Sequence, residues 1–459
     1  MSEIVLLCPF CKRPFRKRQK GQSNLKRHIQ SCKKAPQPKK APSPQKVPLP
    51  LYEHQTHHLV VCLRPESFKF KIDNAPHLYI QVDLLGEEIS KSAWFPGSEA
   101  LRSFPNFHEE IGNNQVVLHQ SLVTAFHLKH LSKSGEFTVD IREWNSKVFD
   151  DFPGDDSTKV TFLFLDTTDG DPKKAPEPWV QALQLKDRRH VNLYPNQREM
   201  EAEQGKVELI KALDTIAKAA TKWKFQFRPK TCFGTGICPL LEEQNTIYKR
   251  LWSATSSHVR IRDERLSCVP CFPLVNKPKS FITTKRKRGQ VSTEEYTVNV
   301  PWFHQEYISL AAKGEFRVFL TPGSSSKGVV FHWVHTAVNR DNPKVKDIVL
   351  VTKPSGDDSV EFTGNGTTEE QLKTFALYYY ENLRKLLPGM LFDDGVRLDI
   401  GANGDGRLWV IEVTPWYSAH YFSETSLLCP NTQVCKAFAT SLARSLTRSK
   451  VTIDMLGAS

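Results

Sequence analysis

The chain has 459 residues, 39% of them hydrophobic and 25% charged, with 63 Lys and Arg against 50 Asp and Glu. That gives room for two or three domains with cores of their own and excludes general disorder. No apolar run approaches the roughly 18 residues of a membrane span, and the short IVLLCPF near the start runs into basic residues without a cleavage-like site, so neither a membrane span nor a secretory leader is expected.

The charge is uneven. Residues 1–50 hold 13 Lys and Arg against Glu3 alone, a net +12, whereas the other 409 residues hold 50 basic and 49 acidic side chains, a net +1. The sequence therefore describes a near-neutral body with a strongly basic N-terminal extension. Ten cysteines occur without a regular secreted framework, which favours a reducing compartment and metal use over disulfides.

Residues 8–32 read CPFCKRPFRKRQKGQSNLKRHIQSC, with the pattern Cys8-x2-Cys11-x16-His28-x3-Cys32. Both end spacings suit a tetrahedral Zn2+ site, and a module this small needs the metal in place of a core. The stretch resembles a CCHC-type zinc finger, with a middle segment longer than usual. Lys12, Arg13, Arg16, Lys17, Arg18, Lys20, Lys26 and Arg27 would neutralise phosphates with little sequence preference. A protein-docking knob or a nuclear-import signal explains the same charge equally well. Nucleic acid or protein is thus the partner expected for residues 1–50, and the nucleus or cytoplasm the compartment. KKAPQPKKAPSPQKVPLP, at 33–50, reads as an extended linker without a core.

From about residue 58 the pattern turns strand-like: HHLVVCLRP, HLYIQVDLL, QVVLHQSLV and KVTFLFLDT carry β-branched and aromatic residues, with few helical signals. Next, NLYPNQREMEAEQGKVELIKALDTIAKAATKW (192–223) places Val207, Leu209, Ile210, Leu213 and Ile216 at helical spacing. KFQFRP (224–229) reads as a strand before a glycine-containing turn. TTKRKRG at 283–289 reads as a basic surface loop and a second candidate import signal. WFHQEYI, EFRVFLT, VVFHWVHTAV and DIVLVTK read as further strands, and EEQLKTFALYYYENLRKLL (369–387) as a long amphipathic helix. The expected class is α+β, mostly antiparallel toward the C-terminus.

VRLDIGANGDGRLWVIEVTPW, at 396–416, places Asp399 and Glu412 inside two apolar runs joined by a turn. Paired across that turn, the strands would gather Arg397, Asp399, Val410 and Glu412 on one face. Two buried carboxylates without cations would repel at high cost. Mg2+, which prefers oxygen ligands and keeps positions open for phosphate oxygens, removes that cost. Structural ion pairs of Asp399 with Arg397, or of Glu412 with Arg407, would remove it as well.

The order of helix, strand, glycine-containing turn, hinge strand, long helix and paired acidic strands over roughly 190–445 resembles the ATP-grasp family, which includes glutathione synthetase, D-alanine–D-alanine ligase and the tubulin tyrosine ligase-like enzymes. RLDIG…GRLWVIEVTP resembles that family's R-x-D…E-x-N-P ending. The resemblance implies that Asp399 and Glu412 hold Mg2+, with Thr414 where the third ligand is usually Asn. It makes Lys206 a phosphate-binding lysine and gives a second phosphate cation at Arg228 or Lys230. Gly234 and Gly236 fall in the loop over the phosphates. Gln305, Glu306, Tyr307 and Ile308 fall at the adenine, Glu315 at the ribose, and Arg317 at the phosphates or an anionic substrate.

The expected architecture is an ATP-grasp-like two-lobed nucleotide-binding fold preceded by a mostly β domain and a small zinc finger. Its parts are a finger at 1–34, a linker at 35–57, an N-terminal α/β domain at 58–190, a catalytic domain at 191–450 and a tail at 451–459. The implied activity is an ATP- and Mg2+-dependent carboxylate–amine ligase working through an acyl phosphate, with Lys206, Arg228 and Arg317 as its catalytic cations. The alternative is a degenerate relative without turnover, acting as a nucleic-acid or protein adaptor. Cys268 and Cys271, with Cys429 and Cys435, are candidates for a second zinc site, against which ordinary buried thiols are commoner. Elemental analysis of the purified chain is expected to find one equivalent of zinc that Cys11→Ser abolishes; zinc retained in that variant would contradict the Cys8, Cys11, His28 and Cys32 assignment.

Overall fold

The computed structural model describes residues 5–7, 14–16, 57–63, 79–91, 104–111, 115–143, 148–149, 158–165, 191–233, 240, 246–250, 259–261, 279–287, 290–298, 302–308, 315–325, 327–337, 350–352, 368–390, 394–402, 406–419 and 430–456. The chain divides into two compact units, Met1–His54 and Gln55–Ser459. In the first, β1 (Val5–Leu7) and β2 (Pro14–Arg16) form an antiparallel hairpin with Leu7 opposite Pro14. Cys8, Cys11, His28 and Cys32 lie outside the described residues, as do Cys268, Cys271 and Cys429.

The second unit begins with β3 (His57–Leu63), β4 (Tyr79–Gln81), α1 (Glu87–Ser90), β5 (His108–Ile111), β6 (Gln115–His119), α2 (Gln120–Leu131), β7 (Phe137–Glu143), β8 (Lys159–Leu165) and β9 (Val191–Tyr194). Four of these strands form a parallel sheet in the order β7-β3-β8-β9, and β4-β6-β5 form a small antiparallel one. Strand outweighs helix among the described residues of 58–190, as expected, but the main sheet is parallel and α2 is a buried helix that the strand-like pattern concealed. All seven residues of β3 are buried, as befits a strand covered on both faces, and that reads in sequence as one unbroken apolar run. QVVLHQSLV likewise divides: the strand ends at His119, whose side chain accepts from the Ser121 amide and caps α2. Gln120 to Leu128 are buried on every side, so the helix shows no apolar stripe to betray it.

Then follow α3 (Gln197–Gly205), α4 (Val207–Ala219), β10 (Thr231–Cys232), β11 (Thr246–Arg250), β12 (Val259–Ile261), β13 (Lys279–Lys287), β14 (Gln290–Val298) and β15 (Trp302–Glu306). An antiparallel sheet has the order β10-β15-β11-β12. KFQFRP is not a strand: its first residues close a 3-10 turn, Trp223–Phe225, and pairing begins only at Thr231. The basic TTKRKRG is not a loop either. Thr283–Lys287 completes β13, in register with β14 from Lys279 opposite Val298 to Lys287 opposite Gln290.

The last elements are β16 (Glu315–Pro322), β17 (Gly328–Ala337), β18 (Leu350–Thr352), α5 (Glu369–Leu386), β19 (Val396–Ala402), β20 (Leu408–Pro415) and α6 (Pro430–Leu456). The strands make an antiparallel sheet in the order β18-β17-β16-β19-β20. Helix α5 starts at a capping box formed by Thr368 and Gln371. Its Leu372, Phe375, Ala376, Tyr379, Tyr380 and Leu383 pack with Phe316, Val318, Leu398 and Val410 of the sheet. Residues 451–456 belong to α6 rather than to a separate tail.

The core is continuous across residue 190. Leu59, Val61 and Leu163 of the parallel sheet share one cluster with Phe319, Trp416 and Phe438. The Trp416 Nε1 donates to the Tyr194 hydroxyl at 3.1 Å, and that hydroxyl donates to Asp394, so the end of β20 is tied to the end of β9. Cys435, on α6, is a plain buried thiol directed at the Gln120 carbonyl, 3.6 Å away; burial pushes it up to about 12, so it stays protonated. Among the described residues no helix is long and apolar enough to cross a membrane.

His127 on α2 is 2% exposed, and burial, with help from Lys436 and against Glu88, pushes its pKa from 6.5 down to about 4. The folded state keeps it neutral while the unfolded chain takes up the proton. Stability present near neutrality is therefore lost as the pH falls through that window, by about 3 kcal/mol. Urea midpoints measured from pH 7 to pH 4 are expected to fall less steeply for His127→Leu than for the wild type; parallel slopes would contradict this.

Candidate functional site

Three neighbouring strands divide their side chains cleanly. Phe316, Ile400 and Val410 align across β16, β19 and β20, as do Val318, Leu398 and Val413, and these face α5 in the core. The opposite face carries the charged rows. Arg317 pairs with Asp399, and Asp399 with Glu412; Phe319 pairs with Arg397, and Arg397 with Thr414; Glu315 pairs with Gly401, and Gly401 with Trp409. Asp399 and Glu412 are thus direct cross-strand neighbours on one face.

Val410 does not join them. The register shifts between Asp399 and Ile400, leaving Ile411 as an extra residue in β20, so Val410 meets Ile400 on the apolar face while Glu412 meets Asp399 on the charged one. Arg228 holds this bulge. Its guanidinium is buried and donates to the carbonyls of Val410, at 2.9 Å, and of Ile411. It also pairs with Asp214 of α4 at 3.0 Å. Arg228 is thereby committed to backbone and to a carboxylate, not aimed at an open cleft.

The charged face is densely bonded. Arg397 grips Asp399 with two bonds of 2.7 and 2.9 Å and reaches the Thr414 hydroxyl at 3.3 Å. The Arg397–Asp399 ion pair weighed from sequence is therefore present. Glu412 pairs with Lys206, not Arg407: the ammonium donates to Oε1 at 2.7 Å. Lys206 sits at the break between α3 and α4 with φ 57° and is, among the described residues, the one non-glycine residue at positive φ. Arg317 Nε lies 3.3 Å from Glu315.

The second wall is the β10-β15-β11 sheet. Gln305 is buried, donates to Thr231 Oγ1 at 2.9 Å and accepts from Lys249 Nζ at 3.0 Å. The Lys230 amide donates to the Glu306 carboxylate at 3.1 Å, which closes β15 against the segment after Arg228; the Lys230 side chain is exposed. Tyr307 and Ile308 follow β15, half-buried. Gly234 and Gly236 lie outside the described residues. Lys206, Lys249, Gln305, Phe303, Glu412 and Val413 line one cleft between the two sheets, completed by α4 and Ile411.

Burial and neighbours set the charge states. Burial, then the Asp399 charge, pushes Glu315 up to about 7. Burial brings Lys249 down to about 8, with Lys206 adding to the effect and Glu412 opposing it. Burial alone would raise Glu412, but Lys206 and Lys249 outweigh it and take it down to about 2. Lys249 carried no signal in the sequence, being one basic residue in TIYKR. Only the pairing of β11 with β15 places it over the cleft.

These residues fit Mg2+ with a polyphosphate. The donors near Asp399 are carboxylates and a hydroxyl, the oxygen set that Mg2+ prefers, and each ionised carboxylate keeps lone pairs beyond those its cation uses. A cation beside Asp399 would favour ionised Glu315, and an anion beside Lys206 would favour charged Lys249. Among the described residues no cluster of three or more His, Cys, Asp or Glu side chains forms a ready metal site.

No protein-family model and no curated protein matches the sequence. Among solved structures the chain is similar to D-cycloserine synthetase DcsG, with 13% identity and a TM-score of 0.41 over 85% of this chain and 99% of that one. It is similar to D-alanyl-alanine synthetase A from Vibrio cholerae O1 biovar eltor, with 10% identity and a TM-score of 0.39 over 87% and 99%. It is also similar to an N5-carboxyaminoimidazole ribonucleotide synthetase solved as its ADP complex, with 10% identity and a TM-score of 0.36 over 78% and 70%. Scores this low leave the reading of the site to the sheet register and the side-chain contacts.

The left-handed backbone at Lys206 costs a side-chain-bearing residue about 1–2 kcal/mol. Lys206→Gly is expected to melt higher than Lys206→Ala, by about 1 kcal/mol in stability, although both lose the ammonium. Equal or reversed stabilities would show that the backbone there is unstrained.

Proposed function

We propose that the chain is an ATP- and Mg2+-dependent ligase of the carboxylate–amine type that activates its carboxylate as an acyl phosphate. The observation that carries this reading is the in-register pair Asp399 and Glu412 on a charged sheet face, with Lys206 delivered to Glu412 from the break between two helices. Asp399, Glu412 and the Thr414 hydroxyl would hold the metal, which supplies shielding of phosphate charge.

The chain's own cations do the positioning. Lys206 and Lys249 face the cleft and would bind phosphate oxygens, offsetting the charge of the moving phosphoryl group. Arg317, next to Asp399 in the charged row, offers a planar fork to the carboxylate or its phosphorylated form. Gln305 to Ile308 would line the base and Glu315 the ribose, with Lys230 at the rim. Arg228 acts indirectly, by fixing the edge strand that carries Glu412. Residues 1–50 would recruit a macromolecular substrate, nucleic acid or protein, in the nucleus or cytoplasm.

The adaptor reading is favoured by Thr414 standing where the family's ending has Asn, by Arg228 being committed to the β20 backbone and Asp214, and by Asp399 and Glu412 each being already paired with a cation of the chain. Product analysis separates the two. The ligase is expected to release ADP only with Mg2+ and a carboxylate co-substrate, and Glu412→Gln to lower that rate about a hundredfold or more. Nucleotide binding without ADP formation across a panel of carboxylates and amines would favour the adaptor. Absence of Mg2+-dependent nucleotide binding would overturn both readings of the cleft.

A further inference from the structure

Residues 215–233 hold five basic side chains and no acidic one, and within them KWKFQF interleaves lysine with aromatic rings. Trp223, in this stretch, is 65% exposed, the most exposed large hydrophobic side chain among the described residues. An indole buries a large area when it can, so one left in solvent beside two lysines is uncommon.

Trp223 is not isolated. Its ring meets Phe227 edge-on at 5.5 Å between centroids, and Phe227 meets Trp409 at 5.4 Å. The Arg407 guanidinium carbon lies 5.1 Å from the Phe227 centroid. Lys222 and Lys224 are exposed on either side of Trp223. The Trp409 indole N–H is buried and finds no acceptor among the described residues. Trp409 sits on β20, opposite Gly401, so the ladder climbs from the edge of the charged sheet face to the surface.

An exposed ring set between two lysines matches single-stranded nucleic acid, whose bases offer π-faces and whose phosphates carry charge beside them. An apolar protein patch would strip water from Lys222 and Lys224 without pairing them. A membrane surface would need a broader apolar area than one exposed ring. We propose that Trp223, flanked by Lys222 and Lys224 and buttressed by Phe227 and Trp409, is a sequence-tolerant stacking site for single-stranded nucleic acid. It is distinct in its residues from the nucleotide cleft and from the basic residues 1–50, and it stands whether or not the ligase reading does.

The full chain crosslinked by ultraviolet light to a short oligouridine carrying 5-iodouracil, then mapped by mass spectrometry, tests this. Crosslinks are expected on Trp223. Trp223→Ala is expected to remove them and to weaken binding, measured by fluorescence anisotropy, about five- to a hundredfold, with Trp223→Phe retaining most of it. Lys222→Glu with Lys224→Glu is expected to flatten the salt dependence. Crosslinks confined to residues 1–50, or affinity unchanged in Trp223→Ala, would overturn the proposal. The exposed position of Trp223 leaves the fold of these variants intact, which thermal melting checks.

Discussion

One buried guanidinium sets the geometry of the candidate site. Arg228 donates to two successive carbonyls of β20, at Val410 and Ile411, and is balanced by Asp214. A strand of strict alternation cannot place Val410 and Val413 on one face. The extra residue at Ile411 lets both remain in the core beside α5 while Glu412 turns to meet Asp399. A bulge leaves carbonyls unpaired in the ladder, and in a low-dielectric interior these need donors. Arg228 supplies them. The charged face of the sheet thus depends on a contact made at its edge strand.

That face concentrates charge where water is scarce. Arg317, Arg397, Asp399 and Glu315 lie on two adjacent strands within three neighbouring rows, with Lys206 and Lys249 arriving from other elements. Burial holds Glu315 toward its neutral form and lowers Lys249, so both signs of charge are under stress at once. Arrangements of this kind are costly to maintain and are relieved by a ligand that brings its own cation and anion together. The positive φ of Lys206 belongs to the same pattern, since a local backbone cost is accepted where it directs an ammonium at Glu412.

Much of this was legible in the sequence, for reasons specific to each part. VRLDI and LWVIEV announce themselves as strands because acids interrupt otherwise apolar runs, and the intervening GANGDGR marks the turn. Helix α5 shows its apolar stripe openly. Other features are set by distant contacts and left no local trace. The bulge at Ile411 depends on Arg228, far back in the chain, so alternation misplaces Val410. Arg228 looks like a phosphate cation until Asp214 and the β20 carbonyls are seen around it. Lys249 becomes a cleft residue only through strand pairing. The parallel sheet before residue 190 was hidden because α2 is buried all round and lacks an amphipathic period.

The central claim is that the bulge brings two carboxylates together to hold a divalent cation at a nucleotide. Crystals grown with Mn2+ and ADP test it most directly, through the anomalous signal of the metal. The account predicts a peak within bonding distance of both Asp399 and Glu412 and of a phosphate oxygen. A nucleotide bound with its metal elsewhere, and Asp399 still held by both bonds to Arg397, would contradict it.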